Sequence, residues 1–219
     1  MNPKKAPSKS VWIAAVVLCV IGAAAILRRL IVLPMASSNA LDAHFQAETR
    51  TLLLHLIPSL IFVILLPLQF LPSIRQRSLK LHRWIGRIIM TAGIVAAVSA
   101  LALSLHPVGG LAEGSATIFF GCFFLFSLAK AWWHIRHRRI VEHREWATRM
   151  TSIALGVATV RPIMAVFFAT SRVTGLTPHD FFGPAMWLGF TITYLAGEAV
   201  LLSPARIKPS PQALPTNAR

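Results

Sequence analysis

"IRQRSLKLHRWIGR" (residues 74–87) is a short basic stretch that separates two long apolar runs of the chain. "IRHRRIVEHREWATR" (residues 135–149) repeats its frame, I-R-x-R-x-x-x-x-H-R, and both stretches contain a tryptophan and a further arginine after the frame. A basic connection between apolar runs is typical of the cytoplasmic side of a membrane protein. The two stretches therefore predict two helical hairpins, residues 52–105 and 115–170, and the shared frame favours an internal repeat.

The composition indicates a membrane protein. The chain has 219 residues, of which 55% are hydrophobic and 13% charged, and its mean hydropathy is +0.64. A soluble domain of this length needs more polar surface. The formal net charge of +15 raises the alternative of a nucleic-acid binder, but the basic residues stand between apolar blocks rather than on one face of a soluble fold. We therefore expect the lipid bilayer as the partner, and no nucleic acid.

Six apolar segments predict an all-α polytopic bundle of six transmembrane helices. They cover residues 11–27, 52–71, 85–105, 115–133, 150–170 and 184–202. Most reach the ~20 residues that a helix needs to cross the hydrocarbon, and their continuity excludes a membrane β-barrel. The predicted organisation is a basic N-terminus over residues 1–10, a transmembrane domain over residues 11–202 and a disordered tail over residues 203–219.

The distribution of Lys and Arg predicts the orientation of these helices. Seventeen of the 22 basic residues lie in the N-terminus, the two basic connections and the tail, which six crossings place on one side. Both termini are therefore predicted to be cytoplasmic. The first segment is longer than the apolar region of a signal peptide, so we expect an uncleaved anchor.

Arg161 is the strongest candidate for a functional residue. It lies 12 residues after Arg149, which places it ~18 Å into a hydrocarbon core of ~30 Å. A charge at that depth costs at least ~2.5 kcal/mol, so it needs an anion, free carbonyl groups or a water-filled cavity. His55 lies at a similar depth, and Gln69, 14 residues later, shares its helical face. These residues predict an inward-facing polar site around His55 and Arg161, although interhelical hydrogen bonds that only hold the packing also explain His55 and Gln69.

The two basic stretches supply further candidates on the other side of the membrane. His82 and His143 occupy equivalent positions at the start of the third and fifth segments, where they can act as ligands or as a proton-sensitive pair. The basic candidates for ligand binding are Arg83, Arg87, Arg144 and Arg149. Membrane topology and attraction to anionic lipid headgroups at the cytoplasmic face also explain basic residues here, without a specific site.

The same residues resemble a known family. LHRWIGRI, EHREWATRM and VRP are similar to motifs of the bacterial multi-pass membrane proteins classed as domain of unknown function 2306. The resemblance covers about residues 45–165, and the family pattern falls on His55, His82, Arg83, Trp84, Gly86, Arg87, His143, Arg144, Trp146, Arg149 and Arg161. Ala147 stands where the family pattern has methionine. The resemblance implies a multi-pass protein of the bacterial inner membrane, and it implies no activity.

Three functions remain open at this stage. The first is binding, with transport as an extension, of an anionic ligand or lipid headgroup by His55 and Arg161. The second is electron transfer by haem b, with His55 and His106 as axial ligands of one site and His82 and His143 of another. The third is a structural membrane subunit without chemistry. The chain contains no signature of zincins, thioredoxin-like proteins, hydrolases or ATPases, so we expect binding rather than catalysis.

Overall fold

The structure is a computed structural model that describes residues 9–35 and 40–203, without the side chains of residues 40, 41 and 75. Within these residues the chain forms eight helices and no strand. The helices are α1 Lys9–Val32, α2 Ala40–Ala47, α3 Thr49–Phe70, α4 Pro72–Arg77, α5 Leu79–Leu103, α6 Gly110–Arg136, α7 Ile140–Thr174 and α8 Pro178–Leu202. Most of the predicted basic N-terminus and nearly all of the predicted tail lie outside the described residues.

Six of these helices confirm the predicted membrane spans. α1, α3, α5, α6, α7 and α8 have 22–35 residues and are apolar enough to cross a bilayer. The apolar pattern does not predict the two short helices, because α2 (ALDAHFQA) and α4 (PSIRQR) are too short and too polar to stand out. The described chain is thus an all-α polytopic bundle, as its composition predicts.

The membrane helices extend beyond their apolar segments because much of each basic stretch is itself helical. α5 begins at Leu79, before the apolar segment predicted from residue 85, and α7 begins at Ile140 rather than at residue 150. Lys, Arg and Glu are good helix formers, so a basic stretch continues a helix as well as an apolar run does. With 35 residues, α7 is ~52 Å long and extends past a hydrocarbon core of ~30 Å.

The predicted hairpins are α3 with α5 and α6 with α7, and equivalent histidines occur at the start of the second helix of each. His82 is the fourth residue of α5, and His143 is the fourth residue of α7. The backbone N–H of each donates to the carbonyl group of the residue before its helix, Ser78 or Arg139. The end of the bundle that carries these two turns is named the basic end below, and the end that carries α2 is named the opposite end.

Small residues bring α7 and α8 close together. They recur every four positions along α8 and are buried: Ala185, Gly189, Thr193 and Gly197. Thr193 Oγ1 donates to Thr159 Oγ1 at 2.7 Å, and a Cβ on Gly189 would lie 2.8 Å from the backbone nitrogen of Val160. Small residues at this spacing let two membrane helices approach closely, so this pair is held by backbone proximity and hydroxyl groups.

Gly189→Ala is expected to destabilise the protein, because the new methyl group would lie 2.9 Å from Cα of Val160, whose movement requires a shift of α7. Overpacking of this kind costs about 1–3 kcal/mol. Gly22→Ala is the control, since its methyl group would meet Ala158 and Val63 at ordinary distances of 3.7 and 3.9 Å. The apparent Tm of both purified variants in detergent measures the difference, and equal values would contradict the close approach of α7 and α8.

Candidate functional site

Arg161 lies in the half of α7 nearer the opposite end, and its side chain is exposed. His143 lies 18 residues earlier, or about five turns, on the same face of α7, and its Nδ1 donates to the Ala131 carbonyl group of α6 at 2.8 Å. Ala158 faces α1, because a Cβ on Gly22 would lie 3.7 Å from its methyl carbon. Arg161 therefore lies on the side of α7 between α6 and α1, and not on the side that packs against α8.

One stripe of α7 changes from buried to exposed at the level of Arg161. Leu155 and Ala158 are 4% and 3% exposed, whereas Pro162, Ala165 and Ala169, which continue the stripe, are exposed. Residues three and four apart share one face of a helix, so a neighbouring helix covers this face as far as Ala158 and no further. Pro162 removes one backbone hydrogen bond of α7 and favours a bend at the same level.

From the exposed stripe of α7 we infer that α1 and α7 separate toward the opposite end, where each packs against a different neighbour. On α1, Ile26 is buried in a cluster with residues of α3. On α7, Met164 is buried in another cluster with residues of α8. The space between the two helices is named the α1–α7 crevice. Arg161 lies near its base, and Arg28, which is exposed on α1, lies close enough to interact electrostatically with Arg161.

α2 holds the parts of the bundle together at the opposite end. Phe45 of α2 packs against both the α1–α3 cluster and the α7–α8 cluster, and the Arg29 guanidinium lies 4.3 Å from the centre of its ring. Arg29 also donates to Asp42 of α2 at 2.6 Å, and His44 Nε2 donates to the His106 carbonyl group at 2.9 Å. From these contacts we infer that α2 covers the end of the crevice, which leaves its side open between α1 and α7.

No acidic side chain of the described residues neutralises Arg161. All seven Asp and Glu of the chain belong to that part, yet the charges near Arg161 are the guanidinium groups of Arg28 and Arg29. Within residues 9–35 and 40–203, the Arg161 side chain makes no hydrogen bond and no ion pair. The carboxylates are engaged elsewhere, for example Asp42 with Arg29 and Glu198 with Arg149.

The inward-facing polar site around His55 and Arg161 stays a prediction, and in the structure the Arg161 side chain is exposed at the side of the bundle. Protein atoms surround the guanidinium on most sides, but the separation of α1 from α7 leaves it exposed. At its predicted depth Arg161 requires an anion, free carbonyl groups or water as a partner. The described protein supplies no anion and no hydrogen bond, so the charge depends on what enters the crevice. The depth of Arg161 in the bilayer and its need for a partner also stay predictions.

His55 and Gln69 both face α5, as their shared helical face predicts. His55 Nδ1 donates to the Ala96 carbonyl group at 2.8 Å, and Gln69 Nε2 donates to the His82 carbonyl group at 3.1 Å. Both bonds hold α3 against α5. His55 also lies within electrostatic range of Arg161, and a ring that donates from Nδ1 keeps the Nε2 lone pair as an acceptor. Gln69 lies ~21 Å further along α3 and belongs to the basic end.

The other predicted site residues lie at the basic end, so the structure divides the candidates into two groups. Along α7, His143 and Arg161 are 18 residues or ~27 Å apart. Arg83 and Arg87 are exposed near the start of α5, and Arg144 is half-buried near the start of α7. One site that combines all predicted residues is therefore not formed.

Arg149 is paired with Glu198 of α8, a contact that sequence analysis missed. Its Nε donates to Oε1 at 2.6 Å and its Nη2 donates to Oε2 at 3.2 Å. The two side chains are 23% and 20% exposed, and the guanidinium lies 4.8 Å from the centre of the Trp146 ring. Glu198 therefore neutralises Arg149 and not Arg161, which lies 12 residues further along α7. The signal for this pair in the sequence was the presence of opposite charges on two consecutive antiparallel helices.

The histidine pairs considered for haem b are not arranged as axial ligands. His106 is 64% exposed and lies after the end of α5, whereas His55 bonds to Ala96, seven residues or ~10 Å before that end. His55 and His106 therefore differ in depth. The ring of His143 donates a hydrogen bond to Ala131 of α6, the other helix of its hairpin. This bond does not support a pairing of His143 with His82. The residues do not fit two imidazoles on opposite faces of one haem.

Residues 52–201 match the family described as "Predicted membrane protein (DUF2306)". The matched range begins in α3 and ends in α8, so it includes all the predicted ligand-binding residues and leaves out α1 and α2. No curated protein and no solved structure matches the chain. The α1–α7 crevice thus has one wall inside the matched range and one wall outside it.

Glu198→Gln is expected to destabilise the protein, because it leaves the half-buried Arg149 guanidinium without its carboxylate. The cost lies between the ~1 kcal/mol of an exposed pair and the ~3–5 kcal/mol of a buried one. In a double-mutant cycle with Arg149→Gln, the double variant should lose less stability than the two single losses together. Thermal unfolding of the four proteins in detergent measures this, and strictly additive losses would show that the two groups do not interact.

Proposed function

We propose that this chain, which belongs to the family described as "Predicted membrane protein (DUF2306)", binds the anionic headgroup of a membrane lipid in the α1–α7 crevice. The family description names no activity. Arg161 and Arg28 bind the phosphate group, and His55 offers Nε2 as an acceptor for a hydroxyl group of the ligand. The observation that carries the proposal is the exposed Arg161 guanidinium, which has no acidic partner among the described residues.

The energetics of Arg161 support a bound anion. An arginine in hydrocarbon costs at least ~2.5 kcal/mol on insertion scales, and the nearby guanidinium groups of Arg28 and Arg29 add repulsion. Asp42 pairs with Arg29, so one carboxylate stands against the guanidinium groups of Arg28, Arg29 and Arg161, and the cluster keeps an excess of positive charge. A phosphate group carries the opposite charge and accepts paired hydrogen bonds from a guanidinium, which offsets both costs.

The walls of the crevice favour a lipid over a soluble anion. Leu27 and Ile31 of α1 are 48% and 61% exposed beside Arg28, and Val166 of α7 is 63% exposed beyond Arg161. These apolar side chains need acyl chains as neighbours, which a free phosphate ion lacks. The contacts of Phe45 of α2 cover the end of the crevice, so the bilayer is the side from which a ligand approaches.

Binding, rather than passage through the bundle, is what the packing supports. Below the crevice, Met150, Ile153 and Leu155 are 6%, 1% and 4% exposed and share one core with residues of the neighbouring helices. Transport would need a second conformation in which this core opens. A purely structural role for the protein is the competing function, and it predicts that an apolar residue can replace Arg161 without loss of any bound ligand.

Arg161→Gln is expected to weaken the retention of an anionic lipid about tenfold or more, because a hydrogen bond to a charged group contributes about 1.5–3 kcal/mol. Native mass spectrometry of the full chain in detergent, titrated with phosphatidylglycerol, measures the retained lipid. Arg172→Gln is the matched control, since it removes an exposed arginine of the same helix, 11 residues further on. A parallel titration with inorganic phosphate distinguishes the two sources of the anion, and equally strong binding of phosphate would assign the crevice to a soluble ligand.

Arg161→Leu separates lipid binding from a structural role. Leucine removes the cost of a charge in hydrocarbon, so both functions predict a protein that inserts well and is at least as stable. Only the proposed function predicts that lipid retention falls, and unchanged retention would show it to be wrong. The absorption spectrum of the purified protein tests haem binding independently, since a Soret band that shifts on reduction would support that alternative.

A further inference from the structure

A second concave surface lies between α3 and α5, nearer the basic end. Pro58 and Ile61 of α3, with Trp84 and Arg87 of α5, line a groove of about 410 Å³. Of the eight described residues that line this α3–α5 groove, Arg87 is the one that carries a charge, and the others except Thr91 are apolar or aromatic. The groove shares no lining residue with the α1–α7 crevice.

The α3–α5 groove has a charged end and an apolar end. Arg87 lies eight residues, or ~12 Å, from the first residue of α5 at the basic end, and Val95 lies eight residues deeper. Trp84 lies at the charged end, where tryptophan is typical of the membrane interface. A phospholipid has the same order, with a charged headgroup at the interface and acyl chains that run toward the middle of the bilayer.

The charge at the basic end of the groove is available to an anion. The Arg87 side chain is exposed, and its described contact is with the Trp84 ring, whose centre lies 5.9 Å from the guanidinium carbon. None of the ion pairs among the described residues includes it. Arg83 and Lys80 are also exposed and lie on the same face of α5, respectively one and two turns nearer the basic end.

We infer that the α3–α5 groove binds one anionic phospholipid of the leaflet at the basic end. Arg87 holds its phosphate group, and one acyl chain lies along Thr91 and Val95. Three exposed cations beside an apolar groove attract an anionic headgroup more strongly than a zwitterionic one. The inference does not rest on the proposed function, because it uses other helices and lies toward the other end of the bundle from Arg161.

Native mass spectrometry of the full chain in detergent tests the groove, with phosphatidylglycerol and phosphatidylcholine as the two probes. The Arg161→Gln background removes the crevice contribution, so the lipid that remains bound reports on the groove. Phosphatidylglycerol should bind more tightly than phosphatidylcholine in this background. Arg87→Gln should weaken its binding about tenfold, as expected for the loss of a hydrogen bond to a charged group, and more than the roughly fivefold effect of one cation at a membrane surface. Arg87→Lys should retain most of the binding, and it serves as the second variant where the glutamine variant folds poorly.

Thr91→Trp tests the acyl chain separately from the charge. Thr91 is exposed and lines the groove, so an indole side chain there fills the groove while every basic residue is kept. We expect binding of phosphatidylglycerol to fall at least as much as in Arg87→Gln. Val98→Trp is the matched control, because Val98 is 54% exposed on the same helix and does not line the groove.

Any of three results would overturn the inference. Equal binding of phosphatidylglycerol and phosphatidylcholine in the Arg161→Gln background would show that the groove does not select an anionic headgroup. Equal binding by Thr91→Trp and Val98→Trp would show that no acyl chain occupies the groove. An equal loss in Arg83→Gln and Arg87→Gln would show a general attraction to the basic surface, since Arg83 lies outside the groove lining.

Discussion

A guanidinium group in the middle of a membrane domain needs a counter-charge, and no described side chain of this protein gives one to Arg161. The chain has 22 basic and seven acidic residues, so most of its cations lack a carboxylate. Near an interface this imbalance costs little, because water and lipid headgroups surround the charge. At the depth of Arg161 the imbalance is costly, and the crevice beside it gives access to an anion from outside the chain.

The opening of the crevice follows from the choice of helix partners. Gly189 of α8 allows α7 to approach so closely that a methyl group there would touch the backbone of Val160. α7 therefore stays with α8 beyond Pro162, while α1 follows α3 through Ile26. Two helices that are committed to different neighbours separate, and the surface between them stays uncovered. At the basic end the same pair α7 and α8 brings Glu198 to Arg149. The packing therefore neutralises Arg149, whereas Arg161 has no acidic partner among the described residues.

Sequence analysis predicted the features that depend on one helix at a time. Segment length predicted six spans, and helical periodicity placed His55 and Gln69 on one face. It missed what depends on two helices together. The pairing of Arg149 with Glu198 requires the register of α7 against α8. This register is set by the close approach of Gly189 to the Val160 backbone and of Gly197 to the Ser152 side chain, rather than by hydrophobic pattern. The exposure of Arg161 likewise depends on where α1 leaves α7.

The two walls of the crevice differ in how firmly they are held. In α7, 33% of the apolar stretch is buried inside the described structure, against only 11% in α1. Arg28 on α1 and Arg161 on α7 repel one another while the crevice is empty. An anion between them reverses the sign of that interaction, because each guanidinium is then attracted to the same phosphate. Under the proposed function, a ligand bound by both arginines would draw α1 toward α7 and so couple the position of the first helix to the occupancy of the crevice.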